Sequence, residues 1–422
     1  MPENARAFPA VTEKIRIFKV IAVQLALARG AEEIDAYVPS LISCKEALAG
    51  AASGLVPESS LAGFGRAFES FARSLAGHDR GALNALAAGR LIPFANEIEK
   101  ILEPGIFSPG RENDSRLLSG RFVCDGVCAA CLNESAEAAR REVLDKLSSN
   151  HYALETPPCV CGGESFTDIA YKDRYGLPVT TALCKNCGLL LTRPRMTEAA
   201  YSEFYEREYR RLYTWNVSSE PFYASQVCRG RKILDYVKDA LPERARVLEI
   251  GCGAGGILEP FAESGCEALG VDIGGEYLEI GGSKGLDLRN MRSGSLLETD
   301  ENSFDLIILS HAAEHFLDIP GEFGVVRRLL RDGGRVYVEV PGIKNICAYN
   351  FDYLRYFQNA HTYHFTLDTL RQTLSLCGFA LERGDEAIVS VFSKSKAAGA
   401  PELANYYADN TDFIFTVEKY FY

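Results

Sequence analysis

The chain has 422 residues, 47% hydrophobic and 24% charged, which is more than one hydrophobic core usually organises, so two or three globular domains are expected. A formal net charge of −12 argues against a phosphate-backbone footprint, no stretch of about 18 apolar residues exists to span a bilayer, and the first residues carry no apolar signal core. Nucleic acid, a membrane span and secretion are therefore not expected, and a cytoplasmic location is.

Residues 1–118 carry apolar side chains at helical spacing, as in Val11, Ile15, Phe18, Ala22 and Leu25, and again in Phe64, Phe68, Phe71 and Leu75. This reads as a helical domain with no polar constellation attached to chemistry, a scaffold or an interaction module. From Ser119 to about residue 196 the character changes to cysteines, glycines and short β-type runs. Seven of the 13 cysteines fall in CxC, CxxC and CxxxCxxC runs, which fits reduced thiols, some of them on metal, better than a disulfide framework.

Cys124, Cys128 and Cys131 have the spacing that holds an iron–sulfur cluster in radical enzymes. Such a cluster opens a barrel of about 200 residues or more, and only 27 residues intervene before Cys159. A second zinc site completed by another thiol or by His151, or unligated thiols, are the readings that stay open. Cys159 and Cys161, then Cys184 and Cys187, form two thiolate pairs separated by 22 residues, each followed by glycine. Two such turns facing one another supply the four sulfurs of a structural zinc ribbon. The first pair is CxC where such a turn more often has CxxC.

Residues 197–241 turn helical again, with the aromatic cluster Tyr201, Phe204, Tyr205, Tyr209, Tyr213 and Trp215. From Arg246 onward strands alternate with helices, the signature of an α/β fold with a parallel sheet, and strands are expected near 246–250, 267–271, 304–309 and 335–340. The first strand runs into Gly251, Cys252, Gly253, Ala254, Gly255 and Gly256. Glycines there let the backbone turn tightly and approach a ligand, while the next helix offers free N–H groups. After the second strand stands Asp272, placed to accept both hydroxyls of a ribose. A nucleoside-containing cofactor follows, although a lone glycine-rich turn serves nicotinamide dinucleotides equally well.

The acidic Glu249 before the first glycine, the run from Val247 to Gly255, Gly270-Val271-Asp272-Ile273, Ser303 to Phe316 and Leu329 to Pro341 together resemble, in order and spacing, the class I methyltransferase family, over roughly Arg231 to Phe392. The passages Cys187 to Met196 and Tyr201 to Arg210 are similar to the amino-terminal zinc-ribbon segment of sugar C- and O-methyltransferases. That resemblance extends the likeness back to about Cys159. It implies a Rossmann-like methyltransferase domain over 197–398, behind a zinc-binding segment over 119–196 and the helical domain over 1–118. It also implies S-adenosyl-L-methionine as cofactor and a sugar derivative as acceptor. Gly251 and Gly253 would approach the methionine part, Asp272 the ribose, Ser295 and Leu296 the adenine, and Ser310 and His311 would lie under the sulfonium.

Methyl transfer from a sulfonium is an in-line displacement, so the protein aligns the acceptor and removes its proton. Four of the six histidines, His311, His315, His361 and His364, fall near strand ends or in the loop after the last expected strand. In the family resembled, a histidine before an aromatic-Thr pair and a helix ending in Gly-Phe sits near the acceptor. His361, with Phe365, Thr366, Gly378 and Phe379, matches it. His361 is accordingly the expected general base, supported by Tyr363, His364 and His315, because an imidazole titrates near neutrality. The aromatics Tyr349, Phe351, Tyr353, Tyr356 and Phe357 wall a pocket or form core. Residues 399–422 stay apolar to the last position and are expected to dock on the chain itself or on a partner, as a homo-oligomer or through the N-terminal domain. The other functions weighed are a non-sugar metabolite or a protein as acceptor, an idle methyltransferase-like binding module, and a nicotinamide oxidoreductase.

Overall fold

The computed structural model describes residues 116–214, 219–395 and 403–422, with six residues between 62 and 70. The helical domain expected over 1–118 lies outside the described residues apart from that short stretch and residues 116–118, and so does Trp215. No helix among the described residues is long and apolar enough to cross a membrane.

Among the described residues thirteen strands are numbered in chain order. Five precede the main sheet: β1 (Leu154–Glu155), β2 (Phe166–Ala170), β3 (Thr181–Cys184), β4 (Leu190–Thr192) and β5 (Arg195–Met196). The main sheet holds β6 (Arg246–Ile250), β7 (Glu267–Asp272), β8 (Asp287–Asn290), β9 (Phe304–Ser310) and β10 (Leu330–Glu339). Then come β11 (Tyr363–His364), β12 (Phe379–Gly384) and β13 (Val389–Lys394). The helices are α1 (Glu134–Ser148), α2 (Glu198–Arg207), α3 (Ser219–Val237), α4 (Glu259–Glu263), α5 (Gly275–Ser283), α6 (Ile319–Leu329), α7 (Tyr353–Tyr356), α8 (Leu367–Leu376) and α9 (Tyr407–Phe421).

The main sheet runs β12-β13-β10-β9-β6-β7-β8. Pairings from β10 through β9, β6 and β7 to β8 are parallel, and β13 lies antiparallel between β10 and β12. All four expected strands are present. The central ones, β6 and β9, are buried on both faces, which is why they read as continuous apolar runs. This is the Rossmann-like class I methyltransferase fold, with the strand order reversing across β6 and β9 so that their carboxyl ends open a crevice. Helix starts are capped locally: Asp318 accepts from the Gly321 N–H ahead of α6, and Thr366 and Thr369 form a reciprocal box at α8.

A second sheet, ordered β11-β4-β3-β2, is all antiparallel. Three of its strands come from the cysteine-rich segment, and the fourth, β11, comes from the loop after β10. The cysteine segment is thus hydrogen-bonded directly to the chain that carries His361. The C-terminal segment packs on the same sheet. Asn410 donates to the Gly188 carbonyl at 2.8 Å, Asn405 to the Lys185 carbonyl at 3.0 Å, and the Tyr406 N–H to the Cys187 carbonyl at 3.3 Å. Farther along α9, Glu418 pairs with Arg121 at 3.0 Å, and Phe421 stacks on Phe351 with centroids 4.4 Å apart.

Candidate active site

β6 ends in Gly251 and Gly253, with φ of 75° and 55°, a left-handed backbone that a side chain would strain. The turn is held from β7: Asp272 accepts from the Gly253 N–H at 2.9 Å with one oxygen and from the Gly274 N–H at 2.6 Å with the other. Helix α3 braces it from above, where Gln226 donates to the Cys252 carbonyl at 3.1 Å and accepts from the Gly256 N–H at 3.2 Å. Beneath the turn lies Glu249, buried and with Oε2 unpartnered. Burial, and then the nearby Asp272 charge, push its carboxyl well above the usual range.

Gln226, Gly251, Gly253, Asp272 and Gly274 border a cavity of about 640 Å³, a size typical of sites for small organic ligands, and Glu249 lies behind its lining. Gly251, Gly253 and Asp272 form one wall of it, Ser310 and His311 another. His311 adopts φ 54° at the end of β9, its N–H bonded to the Glu339 carbonyl at 2.7 Å. The adenine-side expectation needs correction, because Ser295 and Leu296 do not line the cavity. A 3-10 turn over Ser293–Glu298 sends the Leu296 side chain into the core and leaves Ser295 exposed, while Met291, Arg292 and Ser293 face the cavity instead.

Tyrosines wall another part of the cavity. Tyr201, Tyr205 and Tyr209 repeat every four residues along α2 and just beyond it, with centroids 6.0 Å and 4.9 Å apart between neighbours, and all three line the space. The sequence shows this spacing but does not say which loop the face meets. The later aromatics, Phe351, Tyr353, Tyr356 and Phe357, are buried core, and Tyr349 packs edge-on against Tyr356; none of the five borders the cavity.

The expected base set is also rearranged. His315 lines the cavity; His361, Tyr363 and His364 do not. Pairing of β11 with β4 draws Tyr363 and His364 into the packed interface between the two sheets. His364 sits against the rings of Tyr356 and Phe357 at 5.5 Å and 5.4 Å, neither ring nitrogen has a partner, and burial lowers its pKa to about 3. Tyr363 donates to the Leu317 carbonyl at 3.4 Å. His361 lies one layer behind His315, ring centroids 5.0 Å apart, with its pKa driven well down by burial and then by His315 and His364. Gln358's side-chain amide lies 3.0 Å from its Nδ1.

His315 itself is well positioned. Its Nδ1 lies 2.8 Å from the Ala360 carbonyl, which can only accept, so Nδ1 carries a proton. The Tyr205 hydroxyl is 2.9 Å from the same nitrogen. Next to it Glu314 is buried with neither oxygen hydrogen-bonded. Burial opposes its ionisation, yet the charges of His315 and His311 hold the carboxyl below its usual range.

In the ribbon, Cys159 and Cys187 Sγ are 3.5 Å apart, Cys161 and Cys184 Sγ 3.7 Å, and all four sulfurs lie within 4.8 Å of one another. Tetrahedral zinc with bonds of about 2.3 Å places sulfurs about 3.8 Å apart, so donor set and spacing fit one zinc ion. The CxC pair is accommodated because Gly162, at φ 80°, turns its N–H back to the Cys159 carbonyl at 2.7 Å. Cys124, Cys128 and Cys131 do not converge with any third ligand among the described residues. Cys124 and Cys131 are exposed, Cys128 bonds the Ala130 and Arg174 carbonyls, and His151 pairs with Glu203 at 2.9 Å.

Comparison with known proteins agrees with this architecture. Residues 223–383 match the model of the family described as methyltransferase domain, so this part of the chain is a methyltransferase domain. A ubiquinone biosynthesis O-methyltransferase of Xylella fastidiosa is 31% identical over 112 residues, 25% of this chain and 46% of the relative. The protein of the same description from Alkalilimnicola ehrlichii is 31% identical over 111 residues, 24% and 45% of the two chains. The chain thus spans under half the length of these curated relatives. Among solved structures, 1,6-didemethyltoxoflavin-N1-methyltransferase of Burkholderia thailandensis, with bound S-adenosylhomocysteine, is 16% identical. It covers 49% of this chain and 96% of its own, with a TM-score of 0.37.

Proposed function

We propose that the chain transfers a methyl group from S-adenosyl-L-methionine to a hydroxyl of a small acceptor bound against the tyrosine wall. One observation carries the reading: the glycine turn held by Asp272 and His315 border the same cavity. The cofactor supplies an activated methyl on a sulfonium. The chain's own residues do the rest. Asp272, with the glycine turn it holds, takes the nucleoside end, and Glu249, its Oε2 unpartnered beneath the turn, takes the cationic methionine end. Ser310 and His311 border the space where the methyl emerges. The acceptor's proton leaves toward the group formed by Glu314, His315 and His361, of which His315 reaches the cavity.

A sugar derivative is the acceptor that the zinc ribbon joined to a methyltransferase domain favours, and zinc on Cys159, Cys161, Cys184 and Cys187 belongs to the same reading. A phenolic ring is the second reading. The flat faces of Tyr205 and Tyr209 favour it, as does the likeness to relatives described as ubiquinone biosynthesis O-methyltransferases. Incubation with labelled S-adenosyl-L-methionine and a panel of nucleotide sugars and catechols, with mass spectrometry of products, tests both. A labelled product from one class alone selects it, and tight NAD binding with no response to S-adenosylhomocysteine overturns the proposal.

A further inference from the structure

Three imidazoles surround the buried Glu314 carboxylate. Its Oε1 lies 3.4 Å from His311 Nδ1, 3.8 Å from His315 Nε2 and 3.9 Å from His361 Nε2. Neither carboxylate oxygen has a hydrogen bond. The Ala360 carbonyl takes the proton of His315 Nδ1, so Nε2 is the nitrogen turned toward the carboxylate oxygen in the protein interior. A buried carboxylate without hydrogen bonds is unfavourable unless a cation stands beside it.

We propose that Glu314, His315 and His361 bind one divalent first-row transition metal ion in the wall of the cavity, with His311 completing the set from the cavity side. The ligating atoms of Glu314, His315 and His361 all lie within 4.8 Å of one another. Bonds of about 2.1 Å in tetrahedral geometry place neighbouring donors about 3.4 Å apart, a few tenths of an ångström less than the 3.8 Å and 3.9 Å from Glu314 Oε1 to the two imidazoles. Imidazole with carboxylate is a donor set for zinc, cobalt, iron or manganese rather than for a soft monovalent ion. The carbonyl on His315 Nδ1 is the outer-shell contact that orients a ligating histidine. At His361 the Gln358 amide nitrogen stands against both ring nitrogens while its oxygen accepts from Arg174, so ligation through Nε2 requires the Gln358 side chain to move aside. His311 and His315 both border the cavity, which gives the ion an entry path and places it within reach of an acceptor oxygen. Activation of that oxygen by the ion rests on the methyl-transfer reading; binding of the ion does not.

The full chain, purified with zinc on its cysteines, is titrated with Co²⁺ and followed by visible spectroscopy. The expected result is one saturable equivalent of ligand-field absorption without the sulfur-to-cobalt charge-transfer band that thiolates give. Glu314→Gln and His361→Ala should each weaken Co²⁺ binding about 10–100-fold or more. S-adenosylhomocysteine binding, measured by calorimetry on the same samples, reports separately on the fold and on the cofactor reading. With that binding retained, three outcomes each overturn the metal site: no saturable band, a band with thiolate charge transfer, or equal Co²⁺ affinity in wild type and both variants. Loss of S-adenosylhomocysteine binding in a variant moves the comparison to His315→Ala, judged by the same criterion.

Discussion

Thr192, on the cysteine-segment strand β4, donates its hydroxyl to the carbonyl oxygen of His361 at 2.7 Å, and its N–H to the next carbonyl, that of Thr362, at 3.0 Å. The ribbon therefore positions the loop behind the active site. Thr192→Val leaves a buried carbonyl unpaired, which costs about 1–3 kcal/mol in chemical denaturation. Turnover should fall with it while S-adenosylhomocysteine affinity holds. Unchanged stability and turnover would mean that the contact is incidental.

The four cysteines should carry one zinc per chain. Elemental analysis of Cys184→Ser should show one equivalent fewer than wild type, with a lower melting temperature, because ligation free energy is folding free energy in a sheet this small. Equal zinc contents in the two proteins would reject the assignment.

Asp272 holds the Gly253 and Gly274 N–H groups, and in the proposed function it also binds the ribose. Hydrogen bonds to a charged group are worth about 1.5–3 kcal/mol each, so Asp272→Ala should weaken S-adenosylhomocysteine binding by about 10–100-fold or more in calorimetry. Asp272→Asn keeps one acceptor oxygen and should lose less.

Glu249 makes cofactor binding pH-dependent. Its carboxyl is held well above the usual range by burial, so it is protonated in the free protein at pH values where an exposed glutamate is ionised. A cationic ligand beside it favours the ionised form, so binding releases a proton and affinity rises with pH until the free protein is itself ionised. Calorimetry in buffers of different ionisation enthalpy should detect that proton, and Glu249→Gln should abolish the release.

His315→Ala should lower turnover by about 10²–10⁴-fold, the range for loss of the group that handles an acceptor's proton, with S-adenosylhomocysteine affinity within a few-fold of wild type. Tyr205→Phe, which removes the hydroxyl 2.9 Å from His315 Nδ1, should cost less. A fully active His315→Ala enzyme would leave alignment as the whole of the chemistry.

How much of this is legible in the sequence follows from how each part is specified. β6 and β9 are buried on both faces and write themselves as apolar runs, and Asp272 follows a strand and a glycine turn. β8, Asp-Leu-Arg-Asn, has no such run, and β11 is two residues whose strand character comes from β4. In the site, the region of the adenine edge is legible but its phase is not, because the 3-10 turn at Ser293 decides which side chains face inward. The same holds for the histidines. Sequence shows that His361 follows the last parallel strand, whereas its distance from the cavity depends on a pairing 170 residues back in the chain.

That pairing bears on how the protein is made. All four cysteines have been synthesised by residue 187, yet the sheet they anchor keeps the β4 edge unpaired until Tyr363 and His364 emerge. The Gly188 and Cys187 carbonyls wait longer still, for Asn410 and Tyr406. Contacts of such sequence separation form late and slowly. During synthesis the ribbon is thus an open-edged intermediate, the form in which strands pair wrongly with other chains. An ion taken up early by the cysteines would keep that nascent segment folded while the rest of the sheet is still being translated.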